Sequence, residues 1–105
     1  MQIQVHTDHT LEGGQKFIAY VTGVVEGAVS RLSARISRIE VHVSDQNGSK
    51  TGQHDKRCMM EARLEGHPPI AVTHKAATVD EAVDGAATKL QQSLRATIDR
   101  LQEAR

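Results

Sequence analysis

From Asp55 onward the chain reads as two strands, a proline turn and a long capped helix, and that order narrows the folds open to it. Asp55-Lys56-Arg57-Cys58-Met59-Met60-Glu61-Ala62-Arg63-Leu64 alternates with period two, putting Cys58, Met60, Ala62 and Leu64 on one face of a strand over Lys56 to Glu65. Gly66-His67-Pro68-Pro69 turns the chain, and Ile70 to Lys75 forms the next strand. Thr78-Val79-Asp80-Glu81 fits a capping box at the start of a helix over Val79 to Glu103. Val79, Val83, Ala86, Leu90, Leu94 and Leu101 recur along one side of that helix.

The first half supplies a strand, a helix and a strand. Gln2 to Thr7 alternates, with Ile3 and Val5 on one face and Gln2, Gln4 and His6 on the other. After Gly13-Gly14, a helix is predicted from Gln15 to Ala34, with Phe17, Val21, Val24, Ala28 and Leu32 as its stripe and Ile18, Val25 and Val29 widening it. Gly23 and Gly27 fall inside this helix, where glycine costs about 1 kcal/mol, so they are read as marks of close packing. Arg38 to Ser44 forms a second strand with Ile39, Val41 and Val43 inward, and the polar run Asp45 to His54 is a long hairpin loop. The order β-α-β-β-β-α defines an α+β fold: a four-stranded, mostly antiparallel sheet with both helices packed on one face. The opposite face carries Gln4, His6, Glu40, His42, Arg57, Glu61, Arg63, Thr73 and Lys75.

With 105 residues the chain forms a single domain, residues 1–105. Phe17 and Tyr20 are its aromatics, so the core is thin and built from aliphatic residues, which leaves room for a homodimer partner. The formal net charge of zero argues against binding driven by a large positive field alone, though not against a local basic patch. The single cysteine, Cys58, lies on the apolar side of a strand and is read as a small buried hydrophobe in a reducing compartment. The N-terminus lacks the charged start and apolar core of a signal peptide, and no apolar run reaches membrane-spanning length; the expectation is a soluble, cytoplasmic protein with no membrane partner.

Six histidines raise the question of a metal. His6 and His42 become neighbours if the first two strands pair, but no His/Cys spacing resembles a structural zinc site, so no metal and no cofactor is expected. His54 and His67 fall in loops. Glu40 and Glu61 face each other on an open, solvated surface that does little to shift carboxylate pKa values. Gly48-Ser49-Lys50-Thr51-Gly52 lacks the leading glycine and strand-to-helix setting of a phosphate loop. No catalytic residues, enzyme activity or small-molecule substrate follow.

The basic residues form two groups. Arg31, Arg35 and Arg38 step around the end of the first helix, where interaction with the helix dipole accounts for them. Lys56, Arg57, Arg63 and Lys75 lie on the third and fourth strands, and Lys89, Arg95 and Arg100 on the last helix, interleaved with Glu61, Glu65, Asp99 and Glu103.

The string α-β-β-β-α also occurs in double-stranded-RNA-binding domains, which read shape and phosphate rather than sequence; here it carries an extra leading strand. The opening Met1-Gln2-Ile3-Gln4-Val5, the strand Ile39-Glu40-Val41-His42-Val43 and the run Thr78-Val79-Asp80-Glu81-Ala82-Val83-Asp84 leading into Lys89-Leu90-Gln91-Gln92-Ser93-Leu94-Arg95 resemble the ribosome hibernation-promoting factor and ribosome-associated inhibitor family. The resemblance implies a short-form factor that binds the small ribosomal subunit and its rRNA between head and body and silences translation in stress or stationary phase. Its means would be Lys and Arg contacts to phosphates. Lys89 and Arg95 match the family's basic positions in the last helix; Lys56, Arg57, Arg63 and Lys75 match sheet positions, and Arg31, Arg35 and Arg38 loosely match a basic region at the end of the first helix. Where that helix would carry a dense basic run, this chain has Gln91, Gln92, Ser93, Ala96, Thr97 and Ile98. The rival expectation is a protein–protein interaction module of the same fold that has lost most RNA binding, with the outward Met59 as an anchor.

Overall fold

Alternation and helical periodicity lead to the expected layers in a computed structural model, which describes residues 1–8, 14–45 and 55–103. The elements are β1 (Gln2–Thr7), α1 (Gln15–Val29), a 3-10 helix (Ser30–Arg35), β2 (Ile36–Asp45), β3 (Lys56–Leu64), β4 (Ile70–Ala76) and α2 (Val79–Glu103). The sheet runs in the order β1-β2-β3-β4. β1 pairs with β2 in parallel, which requires the crossover that α1 provides, while the other two pairings are antiparallel. The loop expected over Asp45 to His54 lies, beyond Asp45, outside the described residues. Among the described residues no helix is long and apolar enough to cross a membrane.

One face of the sheet is sealed by the helices. Ile39, Val41, Cys58, Met60 and Ala62 from the strands are fully buried against Val21 and Val25 of α1 and Ala82, Val83, Ala86, Leu90 and Leu94 of α2. The alanines let α2 lie close to β3 and β4. The α2 start is held as its sequence requires: the Glu81 backbone N–H donates to Thr78 Oγ1 at 3.1 Å, and the Thr78 hydroxyl donates to Glu81 Oε1 at 2.9 Å. Tyr20 ties the helices together by donating from its hydroxyl to Asp84 Oδ1 at 3.2 Å. Partial burial raises the Tyr20 pKa, and the carboxylates of Asp84 and Asp80 raise it further.

Three features depart from the sequence reading. The first helix does not continue as one α-helix to Ala34 but tightens into the 3-10 segment at Ser30. There the Ser33 hydroxyl donates to the Ser30 carbonyl at 3.1 Å, the local bond by which serine competes with regular helix. β2 starts two residues early because its pairing with β3 shifts register between Ile36 and Arg38. That bulge brings both Ile36 and Ile39 inward although they are three positions apart, which a strict period of two cannot show. Finally, Gly23 and Gly27 are exposed, and a Cβ added at either would meet nothing within 4 Å. The close approach is at Gly85 instead, where an added Cβ would overlap the His74 ring. His74 sits opposite Cys58 on the helix-covered face, so α2 passes over it at a residue without a side chain.

Candidate nucleic-acid interface

The fold sorts the predicted RNA-contacting residues into three places. At the first, the 3-10 helix and α2 meet along a groove of about 200 Å³ lined by Gly27, Ala28, Ser30, Arg31, Leu32, Gln91 and Arg95. Arg31 and Arg95, 64 positions apart in sequence, thus converge on one concavity. No acidic residue lines it among the described residues, and both arginines are exposed. Exposed Gly27, with no side chain, leaves the groove open on the α1 side. Arg35 closes the same 3-10 helix and is half-buried.

The second place is the open face of the sheet, where cross-strand register decides neighbours. Arg57 sits between Ser44 and Lys75, and Arg63 opposite Arg38. Like charges so placed repel, and carboxylates balance two of them: Glu40 Oε2 lies 3.2 Å from Arg38 and Glu61 Oε1 3.6 Å from Arg63. Glu40 and Glu61 face each other across the same pair of strands, as expected. Met59 stands between His42 and Thr73 and is half-buried. Arg57 and Lys75 also adjoin, on β3 and β4, with no carboxylate opposite either.

The third place holds cations already engaged within the protein. Lys89 Nζ donates to the Thr73 carbonyl of the edge strand β4 at 3.0 Å, covering an unpaired edge. Lys56 lies 2.9 Å from Asp55 Oδ1 and 3.4 Å from Asp45 Oδ2. The Lys56 hydrogen bond holds the Asp55 carboxyl below its ordinary range, and Asp55 in turn raises the Lys56 pKa. With two carboxylates on it, Lys56 has little charge left for a phosphate.

Catalytic chemistry finds no purchase at Cys58, which is fully buried and whose thiol is pushed up to about 12 by that burial. The open face also holds a grouping that sequence reading assembled only in part. His6 and His42 stack with ring centroids 4.6 Å apart, as pairing of their strands led one to expect. Glu40 is the third member, its Oε1 3.4 Å from His6 Nε2. The signal was legible: Glu40 and His42 are two apart on one strand, and β1 lies in register beside it.

A β-α-β-β-β-α domain with one sealed face, one polar face and an arginine-lined groove between the 3-10 helix and the middle of α2 is a small protein of mixed-sheet α+β class. Residues 3–102 match the family described as sigma 54 modulation protein / S30EA ribosomal protein, and the chain belongs to that family. It is a ribosome-associated hibernation family, of binding factors rather than enzymes. The fold is shared with the N-terminal domain of Protein Y from Thermus thermophilus, at a TM-score of 0.73 and 17% identity over 92% of this chain and 99% of that one. It is likewise shared with a ribosomal subunit interface protein from Coxiella burnetii, at 0.69 and 17% over 94% and 99%. No curated protein sequence matches the chain significantly.

Proposed function

We propose that the protein associates with the small ribosomal subunit in the cytoplasm and silences translation, with its helix-side groove seated on rRNA phosphates. The observation that carries this reading is the convergence of Arg31 and Arg95 in a groove without acidic lining residues. Guanidinium groups suit phosphate because their planar forks donate to two oxygens at once. Family membership and the likeness to a ribosomal subunit interface protein support the ribosome as the source of that RNA. Neutral net charge then has a simple consequence: few phosphates are engaged, so affinity depends on placement more than on bulk field.

A second reading has one observation in its favour. The open sheet face is charge-balanced through Arg38–Glu40 and Arg63–Glu61, which suits a protein partner better than a polyanion.

Co-sedimentation with small ribosomal subunits across a salt series separates the two. The wild-type chain pellets at low salt, and Arg31→Glu with Arg95→Glu abolishes pelleting. The milder pair Arg31→Gln with Arg95→Gln lowers the slope of log affinity against log salt by roughly 0.7–0.9 per lost phosphate contact. Lys89→Gln changes the slope little, because that ammonium is held by the Thr73 carbonyl. Absence of pelleting at low salt, or pelleting indifferent to the groove variants, overturns the RNA reading. Loss confined to Arg57→Glu with Lys75→Glu transfers the contact to the sheet face.

A further inference from the structure

We propose that His6, Glu40 and His42 form a binding site for a zinc-type divalent cation on the open face of the sheet. The site follows from register: β1 and β2 run parallel with His6 beside His42 and Gln4 beside Glu40, so all three side chains of the trio project from one face. One ligand atom from each residue lies within 4.8 Å of the others. The 3.4 Å spacing between His6 Nε2 and Glu40 Oε1 matches the edge of about 3.3 Å that ligand bonds of 2.0–2.1 Å give in a tetrahedron. The rings stack at an incline of 14°, and a turn about the side-chain torsions of exposed His6 and half-buried His42 is the adjustment that would bring a nitrogen of each onto a shared ion.

The donor set chooses the metal. Two imidazoles and one carboxylate suit zinc and its late first-row neighbours, whereas magnesium and calcium take oxygen ligands. Three protein ligands leave a tetrahedral ion one open position. Space for a further ligand is present, since His6 and His42 wall a cleft of about 270 Å³ that also includes Thr7, Asp8, Ser44 and Arg57. Arg38 grips Glu40 Oε2 at 3.2 Å and leaves Oε1 toward the histidines, orienting the carboxylate as an outer partner does. The arginine charge opposes a cation, so the site is built for moderate affinity. It does not depend on the ribosome reading, because its members lie on the other side of the sheet from the Arg31–Arg95 groove.

The test uses the tag-free, metal-stripped chain titrated with zinc chloride, followed by calorimetry and by NMR of the histidine ring nitrogens. One equivalent binds, shifting the His6 and His42 ring signals, and excess magnesium does not compete. His42→Gln and Glu40→Gln each weaken binding by about tenfold or more, since loss of an outer partner alone costs 10–100-fold. His67→Gln, in the turn after β3, leaves it unchanged. The variants alter exposed or half-exposed side chains, and thermal unfolding without metal verifies that they remain folded. Absence of saturable binding, unmoved His6 and His42 signals, or affinity indifferent to His42→Gln would sink the proposal.

Discussion

The two faces of the sheet are built from the same strands, residue by residue in alternation, yet they answer to different physics. On the covered face, Ile39, Val41, Met60, Leu90 and Leu94 are fully buried, and shape complementarity decides what fits. On the open face, Glu40, Glu61, Arg38 and Arg63 are arranged by charge, each within reach of water. The contrast teaches where stability and where recognition reside. Substitutions on the covered face should change folding and leave binding to follow; those of charged side chains on the open face and in the groove should change binding far more than folding.

The sharpest break of that comparison is a cavity. Leu94→Ala on the covered side of α2 removes a side chain with no exposed area, and urea denaturation should show a loss of about 2–5 kcal/mol. Thr73→Ala, half-buried on the opposite face of β4, should lose no more than about 1 kcal/mol, the span of strand propensities. A loss at Thr73 equal to that at Leu94 would mean the open face is covered by something in solution.

The next largest effect concerns the glycines of the two helices. Gly27→Ala meets open space and gains up to about 1 kcal/mol of helix propensity. Gly85→Ala gains the same propensity but drives a methyl into the His74 ring at Cδ2, Nε2 and Cγ, so overpacking of about 1–3 kcal/mol prevails. The cycle that decides it adds His74→Ala: with the ring gone, Gly85→Ala should turn stabilising. Persistence of the penalty without His74 would place its cause in the helix backbone.

How much of this was legible in the chain follows from the range of each interaction. Strand faces, the Thr78–Glu81 cap and the whole of α2 are local, and period and spacing carry them. The bulge at Ile36–Arg38 was hidden because it breaks the period that reveals strands. Gly85 was hidden, and Gly23 and Gly27 overread, because a close approach depends on what lies across the interface. The groove was hidden for the same reason: Arg31 and Arg95 each had a bland local explanation, and only the packing of α1 and its 3-10 extension on α2 brings them together. Glu40 was matched with Glu61, its true cross-strand neighbour, while its tie to His6 across the parallel pair went unread.

The smallest expected effect on folding tests the open face most directly. Glu61 sits opposite Glu40, a like-charge pairing that costs a few tenths of a kcal/mol, and 3.6 Å from Arg63, an exposed pairing that returns about as much. Glu61→Gln removes both terms, so its unfolding free energy should stay within about 0.5 kcal/mol of wild type. Binding need not stay still, because the substitution frees Arg63 and makes the face more positive by one charge. If rRNA reaches this face as well as the groove, Glu61→Gln should bind small subunits several-fold more tightly at low salt, with the gain fading as salt screens it. If only the groove touches RNA, the salt series of Glu61→Gln should overlay that of the wild type. A tighter complex would extend the interface across the edge of the domain onto the sheet; an unchanged one would confine RNA to the groove and leave the charge-balanced face to other ligands.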